Sequence, residues 1–324
     1  ALPYQRTFHP SYRHVPAIDE VKFSITSSRG CFGSCSFCAL TNHQGRTISS
    51  RSKESIVKEA RLLSGFKDFK GYITDIGGPT ANFYQPSCKQ SLHNGVCPFK
   101  NCLAPQVCRN LEVDHRAYRD ILKTVAALPG IKKVFVRSGI RYDYLLYDKD
   151  DSFFRQLVQH HISGQLRVAP EHIDPKVLNL MGKPDKEVYL KFVEKFENLN
   201  RQYRKKQFIV PYFISSHPGS DLESAIQLAL YLKEINHIPL QVQDFYPTPA
   251  TRSTCMYYTG LDPDTMEEVF VEKDPEKKRI QRALMQYTFP ENYQLVFKGL
   301  TMAKRKDLIG YGSECLIKPK KANA

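Results

Sequence analysis

Three cysteines stand within eight residues of one another, in the run Cys31-Phe-Gly-Ser-Cys35-Ser-Phe-Cys38. The spacing Cys-x3-Cys-x2-Cys supplies three thiolates, enough for three irons of a [4Fe–4S] cluster, and leaves the fourth iron open to an outside ligand. Zinc is one alternative, and three unrelated buried thiols are another. A closed zinc site wants a fourth ligand, and His43, five residues past Cys38, is the candidate nearby. The spacing, together with its place directly after a β-type run, favours the cluster. Gly30 and Gly33 flank Cys31, and without a Cβ they let the loop wrap closely around an inorganic group.

Four more cysteines, Cys88, Cys97, Cys102 and Cys108, are spaced x8, x4 and x5 within residues 79–114, a stretch rich in Pro, Asn and Gln. A loop that long is functional or stapled. Four thiolates there suit zinc or a second iron–sulfur cluster, although the spacing lacks the tight Cys-x2-Cys of common zinc folds. Ordinary thiols at the mouth of a site are the remaining possibility. Cys255 and Cys315 stand alone, so the nine cysteines do not read as a disulfide framework. Clustered thiols of this kind point to ligation in a reducing, cytoplasmic setting.

These residues need a frame to hold them. Apolar and aromatic runs at 21–28, 72–77, 134–139, 165–169, 208–215 and 240–246 read as strands, most followed by Gly, Pro or Ser. Between them lie helical stripes. Ile56, Val57, Ala60 and Leu63 share a face, as do Tyr118, Ile121, Leu122 and Val125; Phe153, Phe154, Leu157 and Val158; and Val188, Phe192 and Phe196. Ser220-Asp-Leu-Glu223 reads as a capping box that opens a helix through Leu232. Six strand–helix repeats imply a parallel sheet with right-handed crossovers, hence an α/β fold of the partial (β/α)6 TIM-like barrel kind, with chemistry at the C-terminal ends of the strands. The expected organisation is an N-terminal extension over 1–18, a core over 19–255 interrupted by the Cys-rich insertion 79–114, and a helical C-terminal extension over 256–324. That extension carries stripes at Ile280, Ala283, Leu284 and Tyr287 and at Tyr293, Val296, Phe297 and Leu300, and residues 318–324 read as disordered.

At 324 residues, 41% hydrophobic and 25% charged, the composition is that of a globular protein, and no apolar run reaches the roughly 20 residues a membrane helix needs. Residues 1–16 show no secretory pattern, and a chain that opens on alanine with no clear element before Val21 reads as a fragment of something longer. Lys and Arg number 47 against 33 acids, a formal charge of +14. The excess sits partly in 201–206 and 273–282, where it suits exposed helix faces. RNA or an acidic partner is the other reading of that charge, but no RNA-binding motif accompanies it.

The triplet with an aromatic residue before its last cysteine resembles the motif of the radical S-adenosylmethionine (SAM) superfamily. More narrowly, Ser28-Arg-Gly-Cys31 through Gly45-Arg46, Asp75-Ile-Gly-Gly-Pro79-Thr-Ala-Asn82, Val168-Ala-Pro-Glu171-His172, Gln243-Asp-Phe-Tyr-Pro247-Thr-Pro249-Ala-Thr251 and Gly310-Tyr-Gly312 resemble the YgiQ-type proteins, a radical SAM family whose members are longer. The resemblance implies a [4Fe–4S] cluster on Cys31, Cys35 and Cys38, with SAM chelating the open iron. It further implies a one-electron reductant protein as partner and a 5′-deoxyadenosyl radical that abstracts hydrogen from a substrate. Carried over residue by residue, Phe37 would lie against the adenine, and Gly77 and Gly78 would receive the SAM amino group. Pro79 stands where the family's motif has a Glu. Ser138 would bond the ribose and Arg167 the carboxylate, while Glu171 would take the ribose or the amino group. The rival from another class is a non-enzymatic iron–sulfur or zinc protein that binds RNA through its basic surface; it needs no such cradle for SAM. The substrate is not legible from the sequence.

Overall fold

Every one of the six expected runs carries a strand in the structure, a computed structural model that describes residues 5–98 and 100–319. Ser24–Thr26 pairs in parallel with Asp75–Gly77, Ile25 opposite Ile76, and Tyr72–Ile73 pairs in parallel with Lys133–Val134. Past Val134 the ladder thins to single bonds. Val136 N–H donates to the His161 carbonyl (2.9 Å) and Ile140 N–H to that of Arg167 (3.4 Å). Gln165–Glu171, Phe208–Ser215 and Gln243–Asp244 follow as a three-stranded sheet in that order, the last two strands parallel. Ile25, Ile73, Ile76, Val134, Leu166 and Val168 are buried, as parallel strands covered by crossover helices require. An antiparallel ribbon of Ser28–Arg29 against Ser49–Ser50 brings together the two ends of the Cys31-containing loop.

The helical stripes fold as their periodicity demands. Ile56, Ala60 and Leu63 are buried on Lys53–Ser64, which is capped by Ser52, and all four stripe residues are buried on Arg116–Ala126. Two expectations change. Val21 is not in a strand: it ends a short helix, Pro16–Val21, whose first-turn proline is already set to helical φ, and its side chain is exposed. The helix Leu222–Glu234 is capped by Asp221, whose carboxylate accepts from Ser224 N–H at 2.8 Å. Ser220, the expected cap, is buried and donates instead to the Gln281 side chain. The insertion is not wholly irregular either, since Lys89–Asn94 is helical.

The chain divides into two compact units. One takes in the residues up to Ser34 with Leu40–Ala169 and Val188–Pro211; the other takes in Cys35–Ala39, Pro170–Glu187 and everything from Tyr212. In the second, Ile280, Ala283, Leu284, Val296 and Leu300 of the tail helices Pro275–Met285 and Tyr293–Met302 pack on Ala225, Ile226 and Ala229. Residues 320–324, most of the expected disordered end, lie outside the described residues. No described helix is long and apolar enough to cross a membrane.

Candidate functional site

In the first unit Cys31 is buried and fixed by its loop. Its N–H donates to the Gly45 carbonyl (3.0 Å), Gly30 N–H donates to the Gln44 side chain (3.2 Å), and the thiol lies 3.7 Å from the Thr80 hydroxyl. Gly30 has φ +91°, and a Cβ there would stand 2.2 Å from the Thr47 carbonyl oxygen, so no other residue fits without moving the ribbon. A Cβ on Gly33 would lie 3.4 Å from Cys31 Sγ and 2.9 Å from Arg141 Nη1. Bare backbone therefore lies alongside the thiol, which suits a loop closing over a bulky group. Phe32 turns inward, stacked on Phe83 at 3.8 Å and edge-on to Tyr144 at 5.4 Å, in one apolar cluster with Cys31, Ile48 and Leu103.

Gly77 and Gly78 end the second strand in close quarters. A Cβ on Gly77 would meet Ser138 Oγ at 2.3 Å, and one on Gly78 would meet Ser28 Oγ at 2.7 Å and its carbonyl oxygen at 2.8 Å. Strand-to-strand approach already demands glycine at both positions, whatever else they do. The Ser138 hydroxyl donates to the Asp75 carboxylate, which also accepts the N–H groups of Arg137 (2.8 Å) and Ser138 (3.2 Å). Ser138 keeps lone pairs to accept from a ribose hydroxyl. Arg167 is on the exposed face of its strand, between the buried Leu166 and Val168, and among the described residues its guanidinium makes no hydrogen bond or ion pair.

The second unit holds Cys35, Phe37, Cys38 and Glu171. Cys38 N–H donates to the Cys35 carbonyl (3.0 Å), closing a tight turn between the two thiols. Phe37 packs on Val177, Met181, Ile214 and Phe245, with its ring edge-on to His217 at 6.0 Å. Its ring is thus anchored in the core, and the backbone is what it can offer a ligand. Glu171 and Ser216 both adopt left-handed backbone, φ +69° and +57°, at a cost of about 1–3 kcal/mol each, a strain that gathers at functional sites. The hydroxyls of Ser36 and Ser216 are buried with no hydrogen-bond partner among the described residues, as expected where a polar ligand completes a site. His217 is buried and its pKa is lowered to about 3, chiefly by loss of hydration. Neutral, it donates from Nδ1 to the Pro218 carbonyl (2.7 Å) and accepts at Nε2 from Ser253 (2.7 Å). Burial likewise lowers His172 to about 4.

Sequence reasoning missed the polar network behind Cys31. Arg141 and Asp143 form a buried two-bond ion pair (2.7 and 3.0 Å), and Asn82 bonds the backbone of Arg141 on both sides. Asn82 reaches on to His115 Nε2 (3.2 Å), whose Nδ1 meets Asp148 at 2.6 Å. The one signal available was Arg141-Tyr-Asp143 directly after the third strand, in the position where βα loops carry chemistry. His43, the zinc alternative's fourth ligand, is exposed on the short helix Leu40–Gln44. Among the described residues no group of three or more His, Cys, Asp or Glu stands close enough together to hold a metal ion.

A family model described as the radical SAM superfamily matches residues 25–232, and one described as a domain of unknown function (DUF3362) matches residues 240–324. A UPF0313 protein of Clostridium botulinum (strain 657 / Type Ba4) is 58% identical over 320 residues, 98% of this chain and 50% of the relative. One of Clostridium perfringens (strain 13 / Type A) is 58% identical over 323 residues, 99% of this chain and 49% of the relative. The chain spans about half the length of the curated relatives it matches. Among solved structures, the cobalamin-dependent S-adenosylmethionine radical enzyme OxsB, with aqua-cobalamin bound, aligns with a TM-score of 0.54 at 11% identity, over 90% of this chain and 46% of that one. At that identity the likeness is one of fold: α/β with parallel strands, consistent with a partial TIM-like barrel.

Proposed function

Since the chain belongs to the radical SAM superfamily, we propose that it holds a [4Fe–4S] cluster on Cys31, Cys35 and Cys38 and binds SAM at the open iron. The observation that carries this reading is the setting of Cys31: a buried thiol with the bare backbone of Gly33 beside its sulfur, in a loop that Gly30 lets pass close to Thr47. Three thiolates and no fourth suit a cluster with one open iron. When bound, the cluster and SAM supply one-electron cleavage of a sulfonium C–S bond, which generates a 5′-deoxyadenosyl radical for hydrogen abstraction.

The chain's own residues bind and orient. Arg167, exposed and without a partner among the described residues, suits the two oxygens of the SAM carboxylate. The Gly77–Gly78 turn receives the amino group, Ser138 accepts from a ribose hydroxyl, and Glu171, buried at a strand's end, takes the ribose or the amino group. Phe37 meets the adenine through its backbone. A one-electron reductant protein completes the cycle, and the substrate is contacted by loops and by regions of the longer relatives. Residues 19–255 form the core in this reading, and 256–324 form its helical extension. The test is anaerobic reconstitution followed by iron and sulfide analysis, SAM binding, and a search for 5′-deoxyadenosine after reduction. Iron content unchanged by joint Cys31→Ala, Cys35→Ala and Cys38→Ala substitution, or zinc in place of iron, would defeat the proposal.

A further inference from the structure

We propose that Cys88, Cys97, Cys102 and Cys108 form one structural zinc site, which braces the insertion against the loop that carries Cys31. The proposal does not depend on the SAM chemistry. Four cysteines scattered over 21 positions of sequence all line one cavity of about 50 Å³, together with Phe32, Arg46 and Lys100. They are free thiols, one exposed and three half-buried.

Ligand number favours zinc: four thiolates fill its tetrahedral shell and leave no position open, as a structural site requires. The charges agree. Binding follows Zn²⁺ plus four thiols giving a tetrathiolate zinc and four protons, with a net charge of about −2 left on the site. Arg46 and Lys100 both line the cavity and can offset it. Arg46 is held by its terminal nitrogens, which donate to the Cys97 carbonyl (2.6 Å) and the Lys100 carbonyl (2.7 Å). Its Nε is buried with no hydrogen-bond partner among the described residues, which leaves a donor for a thiolate sulfur.

The segment that carries the four cysteines has few backbone ties of its own. Cys108 N–H donates to the Cys102 carbonyl, Leu111 N–H to that of Cys108 and Glu112 N–H to that of Ser87, while residues 92–98 are exposed. The thiols line the cavity wall without three of them meeting at one point; zinc draws them in, Cys97 from the surface, and supplies the missing order. Cys102 and Leu111 pack on the apolar cluster that contains Cys31 and Phe32, so order in the insertion is passed to the triplet's loop.

The test uses the chain with Cys31, Cys35 and Cys38 changed to alanine, so that metal found reports the second site alone. Purified with zinc, it should retain about one zinc per chain and no sulfide, and cobalt(II) in its place should show thiolate-to-cobalt charge transfer with tetrahedral d–d bands. Joint Cys102→Ser and Cys108→Ser substitution should lower zinc retention against a chelator by more than about tenfold. If the triple variant fails to fold, the reconstituted unsubstituted chain gives the same answer as one zinc beside four irons. Eight irons there, or iron with matching sulfide in the triple variant, would overturn the proposal in favour of a second cluster. Four thiols that react with a disulfide reagent equally fast with and without one equivalent of zinc would overturn it in favour of ordinary cysteines.

Discussion

Replacing Gly30 by alanine places a methyl group where the structure has no room, and the cost can be separated into two parts. The first is conformational: at φ +91° an L side chain is strained, by about 1–2 kcal/mol. The second is steric, because a Cβ would stand 2.2 Å from the Thr47 carbonyl oxygen, where ordinary contact begins at 3.4 Å. The ribbon must open by about 1.2 Å, the difference between those distances, and overpacking of this kind costs about 1–3 kcal/mol. The sum is about 2–5 kcal/mol. Gly45 is the internal control: its φ is +84°, and nothing lies within 4 Å of its absent Cβ. Gly45→Ala should lose the conformational part alone. Urea unfolding of the metal-free chains measures both. The displaced ribbon carries Cys31, so Gly30→Ala should also bind less iron on reconstitution while Gly45→Ala stays near the parent level. Equal destabilisation by the two substitutions, with full iron in both, would refute the steric argument.

Arg141→Ala strands Asp143 as a buried, unpaired carboxylate and should destabilise the chain by about 3–5 kcal/mol; a loss below about 1 kcal/mol in urea unfolding would speak against it. Arg167→Ala touches an exposed guanidinium with no partner among the described residues, so stability should hold within about 0.5 kcal/mol while SAM affinity of the reconstituted protein falls about tenfold or more. Unchanged affinity in equilibrium dialysis removes Arg167 from the site. The folded-state pKa values of His172 and His217, about 4 and about 3, lie below the ordinary 6.5, so the unfolded chain binds protons that the fold refuses. Stability is then full above pH 6.5 and declines as the pH falls toward 3, by about 2 kcal/mol per imidazole at pH 5. His217→Phe should show a shallower decline between pH 7 and 5; identical slopes contradict the assignment.

What the sequence determined by itself was whatever depends on neighbours along the chain. Helical stripes such as Tyr118, Ile121, Leu122 and Val125 are buried as the 3.6-residue period requires, and the six β-type runs all carry strands. The Cys-x3-Cys-x2-Cys spacing named the chemistry because ligand type and loop length are local properties. Local rules reached their limit where two candidates compete for one role. Asp221 caps the helix that Ser220 was expected to open, since Ser220 is drawn to Gln281, 61 residues away. The rest was decided by packing between distant segments. Arg141 and Asp143 lie buried behind Cys31, the Ser138 hydroxyl is engaged by Asp75, and Phe37 is anchored against His217. Four cysteines with no recognisable spacing come to share one cavity. A buried charge needs its partner and a buried hydroxyl its acceptor, and which residue supplies it is settled only when the strands and loops that carry them have packed.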